Sequence, residues 1–525
     1  MKVKHLCSCL ITVVCVSLSL TCFGQSLNPL PSPSFTSATS PSGPSPSHIY
    51  AIDVNNDGFT DILQDTANPG STGSFFSVSI SNGDGTFKPP VTYKVNSNTW
   101  TPLTWADFNK DGKVDIAVAL PGTSEIAIYL GNGDGTFQAP ITASVALPSG
   151  MTLANSPIVA ADFNHDGHPD LVAAITTSDQ SAWQVYLLEG DGTGQFPNPS
   201  RVYTPTSGWT IQNIVEGDFD TDGNADVALL ESMPCSDGGD NCYSNVISLF
   251  GDGGTDFQFI DVTTVSGAMS LGAADLNNDG ATDLYGVEYA TNQLAYFSGH
   301  YDRAWGYQYA PIKPSTAGAD QSFNSTFAVA GFQGNWDLLG IAGTVQPDNS
   351  ETYQMGYVLD AAANTPEYYY LAEPAGESSG YQVGPVAGVF NRDQKPDFAI
   401  NVGSSTNSPT TTLAVGLNSA TEVFGACNYP STGQGILLCA PKGTENPQQE
   451  FIFEATAASF GQLRKIELWI DGEKVYESHE VWGQYGLLEW DYTNPVPGPH
   501  NATIYAADID NTLQRYDFTF TVSSN

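Results

Sequence analysis

The sequence predicts an all-β chain, a seven-bladed β-propeller followed by a β-sandwich. Three observations predict it. A nine-residue aspartate-rich pattern recurs at a near-constant interval. A short, apolar, β-prone run follows each copy. The interval stops near residue 420, and short alternating strands with turn signals fill the remainder.

The pattern is clearest at Asp107-Phe108-Asn109-Lys110-Asp111-Gly112-Lys113-Val114-Asp115. Oxygen-bearing side chains stand at loop positions 1, 3, 5 and 9, and glycine at position 6 permits the sharp turn. A hard cation such as calcium requires several oxygen ligands at once. The same set recurs as Asp53, Asn55, Asp57 and Asp61, and as Asp162, Asn164, Asp166 and Asp170. It recurs again as Asp218, Asp220, Asp222 and Asp226, and as Asp275, Asn277, Asp279 and Asp283. A worn copy ends at Asp397, with Val389 at position 1 and Gln394 in place of the glycine. A remnant, Gly331 to Asp337, is too short to hold a cation. The final aspartates fall at 61, 115, 170, 226, 283, 337 and 397, which makes seven units.

These loops are not EF-hands. Position 12 would need a bidentate glutamate, but it is Gln64, Val118, Ala173, Leu229 or Gly286. The following runs, such as Ile116 to Leu120 and Leu171 to Ile175, predict a buried strand rather than a helix. Each loop therefore joins two strands of a hairpin.

Taken in order, residues 1–24 have the form of a secretory signal. Lys2 and Lys4 form its basic start, and the Leu10 to Leu20 run is too short to span a bilayer. Lipid attachment at Cys22 is the competing assignment, against a poor sequence match around it. Either way the chain is expected to be secreted or held at the cell surface, with no transmembrane segment. Residues 25–47 are rich in Pro and Ser, yet Ser34 to Thr39 stand where an outer strand precedes the first loop. They are placed to close the last blade, with Thr421 to Gly425 as the competitor. Residues 48–420 hold the seven units. Each has four strands, the third exemplified by Glu125 to Leu130, followed by a turn such as Gly131-Asn132-Gly133-Asp134-Gly135. Those glycines suit a hairpin that needs positive φ.

The sixth unit is irregular, and His300, Trp305, Tyr307, Tyr309 and Tyr368 to Tyr370 lie there as packing or as a recognition surface. Residues 421–525 form the sandwich, with Asp471-Gly472 as a hairpin turn. After the signal, Cys235, Cys242, Cys427 and Cys439 remain; pairing of 235 with 242 and 427 with 439 is the simplest of three connectivities. His479-Glu480 begins like a zinc motif but lacks a second histidine.

The 16 basic and 56 acidic residues give a net charge of −40, which argues against nucleic acid and anionic membranes as partners. Part of this charge belongs to the loops. Loop four carries four carboxylates where the others carry three, so it is expected to bind a cation most tightly.

The repeated Asp-Phe-Asn-x-Asp-Gly-x-x-Asp, followed by an apolar strand and Gly-Asp-Gly-Thr-Phe, resembles the FG-GAP/VCBS repeat family over roughly residues 30–420. The resemblance implies a propeller similar to the integrin α-subunit head, with structural calcium in about five hairpin loops. It implies that Phe59, Lys113, His168, Asn224 and Ala281 add backbone carbonyls to the side-chain ligands named above. The last 105 residues resemble a bacterial immunoglobulin-like module. For function, the resemblance implies a non-catalytic, monomeric module that recognises an extracellular glycan or surface protein. No nucleophile motif and no zinc signature points to catalysis. The alternative is an exported polysaccharide lyase or hydrolase on the same scaffold.

Overall fold

The computed structural model describes residues 34–39 and 48–523, apart from short interruptions of which the longest are 67–73, 312–319, 360–366, 372–381, 404–410 and 418–429. The described residues contain strands and no α-helix, so none is a helix long and apolar enough to cross a membrane. The proposed signal lies outside the described residues, as do Cys235, Cys427, His479 and Glu480.

Residues 34–417 form seven antiparallel sheets. Blade one is typical: His48–Ile52 pairs with Asp61–Thr66, which pairs with Ser74–Ser79, which pairs with Val91–Val95. Innermost strands of neighbouring blades touch in sequence order from blade two to blade seven, and Leu103 of blade two shares a buried cluster with Ile52 of blade one. The innermost strand of the last blade, Gln382–Gly388, meets His48–Ile52 and so completes a ring. Thr60 N donates to the Val389 carbonyl at 2.9 Å, and Val389 N donates to Thr60 Oγ1 at 2.8 Å. These bonds join the blades at the seam.

The fourth strand of the last blade comes from the other end of the chain. Ser34–Thr39 pairs antiparallel with Thr411–Leu417, with Ser34 opposite Leu417 and Thr39 opposite Thr412. The competing segment, 421–425, lies outside the described residues. Blade three departs from the four-strand expectation. Its inner strand is broken into Met151–Leu153 and Val159–Ala161, which both pair with Asp170–Thr177.

Packing between blades explains the sequence pattern. Every residue of Asp115–Leu120 is buried, because a middle strand is covered on both faces by neighbouring blades. The aromatic residue at loop position 2 plugs the gap. Phe108, Phe163 and Phe219 are at most 2% exposed and join the clusters between consecutive blades. Burying one such ring stabilises by about 1.5–3 kcal/mol.

Beyond the propeller, two sheets face one another. One orders Gly435–Ala440, Phe451–Ala458, Tyr485–Tyr492 and Val481–Trp482. The other orders Thr444–Glu445, Leu513–Val522, Gly498–Asp508, Leu463–Ile470 and Glu473–Ser478. Phe453, Leu468, Ile504 and Phe520 pack between them. Asp471 and Gly472 have φ of 51° and 87°, the geometry of a tight hairpin turn. Cys439 is disulfide-bonded.

The aromatic stretch after residue 299 is partly packing. Trp305 lies against Phe219, with ring centroids 5.4 Å apart, and Tyr309 against Phe297 at 6.1 Å. Tyr301 and Tyr307 are exposed.

Candidate metal centres in the hairpin loops

Each aspartate loop connects the innermost strand of a blade to the second, with position 9 opening that second strand. The backbone winds around its own side chains. In loop two, Asp107 accepts the N–H groups of Asp111 at 3.0 Å and Gly112 at 2.7 Å. Asn109 Oδ1 accepts the Asp111 N–H at 2.9 Å, and Asp111 Oδ1 accepts the Lys113 N–H at 3.1 Å. Loops one and three repeat these bonds through Asp53, Asn55 and Asp57, and through Asp162, Asn164 and Asp166. Loops four and five repeat most of them. Position 7 (Phe59, Lys113, His168, Asn224 and Ala281) donates to the position 5 carboxylate in every case. A coil of this kind gathers the side chains of positions 1, 3 and 5 on its inner side.

A non-glycine residue with positive φ sits at position 4. Asn56, Lys110, His165 and Thr221 have φ between 56° and 63°. The residue types at that position gave no warning of it.

Position 9 does something the sequence did not reveal. Asp61, Asp115, Asp170, Asp226 and Asp283 are all 0% exposed. Each Oδ1 accepts an N–H from a residue at the end of the third strand or within two residues of it: Ser81, Gly131, Gly190, Gly251 and Gly299, at 2.7–2.9 Å. The aspartate therefore clamps the loop to the third strand. At Gly131 a Cβ would lie 2.1 Å from the Val114 carbonyl oxygen, and at Gly190 it would lie 2.1 Å from that of Pro169. The glycine opening the next turn is thus required by close approach, whereas Gly133 and Gly135 do have the expected positive φ.

The other carboxylate oxygen divides the loops into two kinds. In loops one, four and five it accepts the position 2 N–H, from Val54 at 3.1 Å, Phe219 at 2.8 Å and Leu276 at 2.9 Å. In loops two and three, Oδ2 of Asp115 and of Asp170 is buried with no hydrogen-bond partner among the described residues. A buried carboxylate oxygen without a partner is costly. Burial pushes both groups up to about 7, against the pull of the Gly131 and Gly190 N–H groups. Burial likewise pushes Asp53 up to about 7 and raises Asp61, Asp226 and Asp283. The donor set, oxygen throughout, is of the chemistry a hard divalent cation takes, and such an ion nearby would favour the ionised form of these groups; among the described residues, three carboxylates come within 4.8 Å of one another in loop four alone.

Loop four is different from its sequence. Oxygens of Asp218, Asp220 and Asp222 lie within 4.8 Å of one another, but two guanidinium groups reach them. Arg303 Nε donates to Asp220 Oδ2 at 2.5 Å, and Arg303 Nη2 to Asp222 at 3.2 Å. Arg464, from the sandwich strand Leu463–Ile470, donates to Asp218 Oδ2 at 2.9 Å. Four carboxylates against two guanidiniums leave −2, below the −3 that three carboxylates give loops one, three and five; in loop two Lys113 Nζ stands 3.3 Å from Asp111 and likewise leaves −2. Among the described residues this is the one place where three carboxylates converge so closely, and the arginines already engage oxygens that the carboxylate count assigned to a cation. In calcium titrations, Arg303→Gln with Arg464→Gln should raise affinity at loop four by roughly tenfold. An unchanged titration would show that the arginines do not compete. The worn seventh loop keeps one contact of the pattern, Phe390 N to Asp397 Oδ2 at 3.2 Å; Gln394 lies outside the described residues, as does the remnant 331–336.

A second site escaped the sequence altogether. A cavity of about 620 Å³ is bounded by inner-strand residues of blades one to four and by Met269 to Leu271 and Tyr289 of blade five. Its wall includes Tyr50, Trp100, Trp105 and Glu216.

A family model described as FG-GAP-like repeat matches residues 67–118, 107–173 and 162–229. No curated protein matches the chain. Among solved structures, the chain is similar to the extracellular domain of BT3049 from B. thetaiotaomicron, at 10% identity and a TM-score of 0.39. That match covers 94% of this chain and spans 58% of the other. It is also similar to the Dos1 propeller, at 9% identity and a TM-score of 0.38, covering 73% of this chain and 93% of that one. A third is prolyl oligopeptidase B from Galerina marginata, at 12% identity and a TM-score of 0.41, covering 78% and 56%. The family match falls on the aspartate hairpins of the second to fourth blades, where most of the loop bonds recur, and residues 67–229 carry FG-GAP-like repeats within a β-propeller.

Proposed function

We propose that the chain is an exported recognition module: calcium in the hairpin loops stiffens the blades, and the ring holds an extracellular glycan or protein ligand without altering it. The observation that supports this is the aromatic-walled cavity at the inner strands, whose volume suits a ligand rather than packing alone. Loops one, two, three and five supply the calcium ligands named above. Loop four binds only where calcium displaces its arginines. The 105-residue sandwich acts as an immunoglobulin-like companion, tied to the propeller through Arg464.

The alternative, a carbohydrate-active enzyme, has one point in its favour. Glu216 lines the cavity, and burial pushes it up to about 7, where a general acid or base operates well. The test is a glycan array with and without calcium, beside turnover assays on polysaccharides and esters. Capture without turnover supports recognition. Turnover abolished by Glu216→Gln would establish the enzyme instead.

A further inference from the structure

The propeller and the sandwich keep separate apolar cores. Phe453, Leu468, Ile504 and Phe520 pack with sandwich residues only, and the clusters that join successive blades hold propeller residues only. Among the described residues, no strand of the propeller packs alongside a strand of the sandwich. A charged contact crosses the boundary instead. Arg464, whose side chain is 14% exposed, donates from Nη1 to Asp218 Oδ2 at 2.9 Å. Its guanidinium covers the glycine of loop four. A Cβ at Gly223 would stand 2.9 Å from Arg464 Nη1, whereas at Gly112 and Gly167 it would meet nothing within 4 Å.

The same loop holds an orphaned oxygen. In loops one, two, three and five the position 5 N–H donates to Oδ1 of the position 1 aspartate, at 3.0–3.2 Å. In loop four the Asp222 N–H goes to Asp220 Oδ1 instead, at 3.1 Å. Asp218 Oδ1 is thereby left buried with no hydrogen-bond partner among the described residues, on a side chain only 4% exposed. An unsatisfied buried acceptor is costly. Here it belongs to three carboxylates whose oxygens lie within 4.8 Å of one another, the kind of donor set that a hard divalent cation takes.

We propose that loop four is a divalent-cation site in competition with the sandwich: Arg464 surrenders Asp218 when an ion enters, and the sandwich undocks from the propeller. The proposal rests on the calcium reading of the loops given above and adds regulation to it. A divalent ion and a guanidinium on one carboxylate repel each other strongly where water is scarce. Arg303 is also held to the propeller by Gln258 Oε1, which accepts its Nη1 at 2.9 Å, and by the Phe250 ring beneath it. Arg464 belongs to the other domain and leaves with it. The coupling is reciprocal: the factor by which Arg464 weakens the ion is the factor by which the ion weakens docking.

Small-angle scattering and calcium calorimetry on the mature chain test this. The parent should be compact in chelator and show a larger radius of gyration in about 5 mM calcium, above the affinity range of extracellular sites. Arg464→Gln should be equally extended in both solutions and bind calcium at loop four about threefold or more tightly. Asp222→Asn removes a carboxylate of the cluster that is paired with Arg303. It should stay compact in calcium and bind one ion fewer. This second variant decides the matter should Arg464→Gln melt early. A parent radius unchanged by calcium, a compact Arg464→Gln chain in chelator, or an extended Asp222→Asn chain in calcium would overturn the proposal. Calcium bound at the other loops in that event would leave the calcium reading standing. A stoichiometry of zero would overturn both.

Discussion

Deleting residues 25–40 lowers the melting temperature by roughly 10 °C or more. The deletion removes Ser34–Thr39, the outer strand of the last blade, and bares the whole edge of Thr411–Leu417. Six residue pairs are lost, and at about 1 kcal/mol for each net backbone hydrogen bond the loss is several kcal/mol. The effect is larger than for an ordinary edge strand because this one ties the N-terminal segment to the end of the ring. Its partner also carries Leu413 and Val415 into the cluster that joins blade seven to Ile62 of blade one. A bare strand edge invites pairing with another molecule, so the truncated chain should also associate at high concentration. A synthetic peptide of residues 27–40 added in trans should recover part of the loss. Calorimetric scans decide it: an unchanged curve would mean that another segment, with Thr421 to Gly425 foremost, closes the blade.

Chelation should cost the intact protein a comparable amount, and Asp115→Asn and Asp170→Asn separate the two roles of these carboxylates. With sites of about 0.1–1 mM affinity, about 2 mM calcium stabilises by about 0.7–1.8 kcal/mol per loop. Several loops acting together move the midpoint by roughly 5–10 °C. Asparagine keeps the oxygen that accepts the Gly131 or Gly190 N–H and replaces the unpartnered buried oxygen with an amide that repels a cation. In calcium, each variant should lose about one loop's share. In chelator near pH 8, each should equal or exceed the parent, because the parent buries a charge with nothing to balance it.

The pH dependence follows in sign. Burial holds Asp115 and Asp170 at about 7 in the folded chain, above the unfolded value of about 3.9. Their protonated forms stabilise the fold fully below about pH 4, and that contribution is lost as pH rises through 7. Chelated protein should therefore melt higher at about pH 5.5 than at about pH 8, and the increment added by calcium should grow over the same interval. Identical ranking of parent and variants with and without calcium would show that the carboxylates serve only as clamps.

The sequence alone determined what repeats. A nine-residue loop with fixed oxygen positions, followed by an apolar strand at a near-constant interval, specifies hairpins whose ladders are local. Strands such as Asp115–Leu120 and Asp170–Thr177 consequently fall where the pattern places them. Turn glycines were legible for the same reason, since the positive φ of Gly133 and Gly135 is a property of one short segment. Even the closing strand could be read, by asking what each unit lacked. Only the tertiary structure decided what lies between units. Arg464 reaches Asp218 across 246 residues, and Arg303 reaches Asp220 across 83, so no local count of carboxylates could foresee that half of loop four's charge is offset. Loops of nearly the same sequence differ in whether the second oxygen of the position 9 aspartate meets the position 2 N–H, which residue identity does not encode. The cavity draws His48, Trp105, Glu216 and Tyr289 from separate blades, each at an unremarkable place in its own repeat. Periodicity reports what a residue shares with its counterparts in other blades; a site at the hub is built from what they do not share.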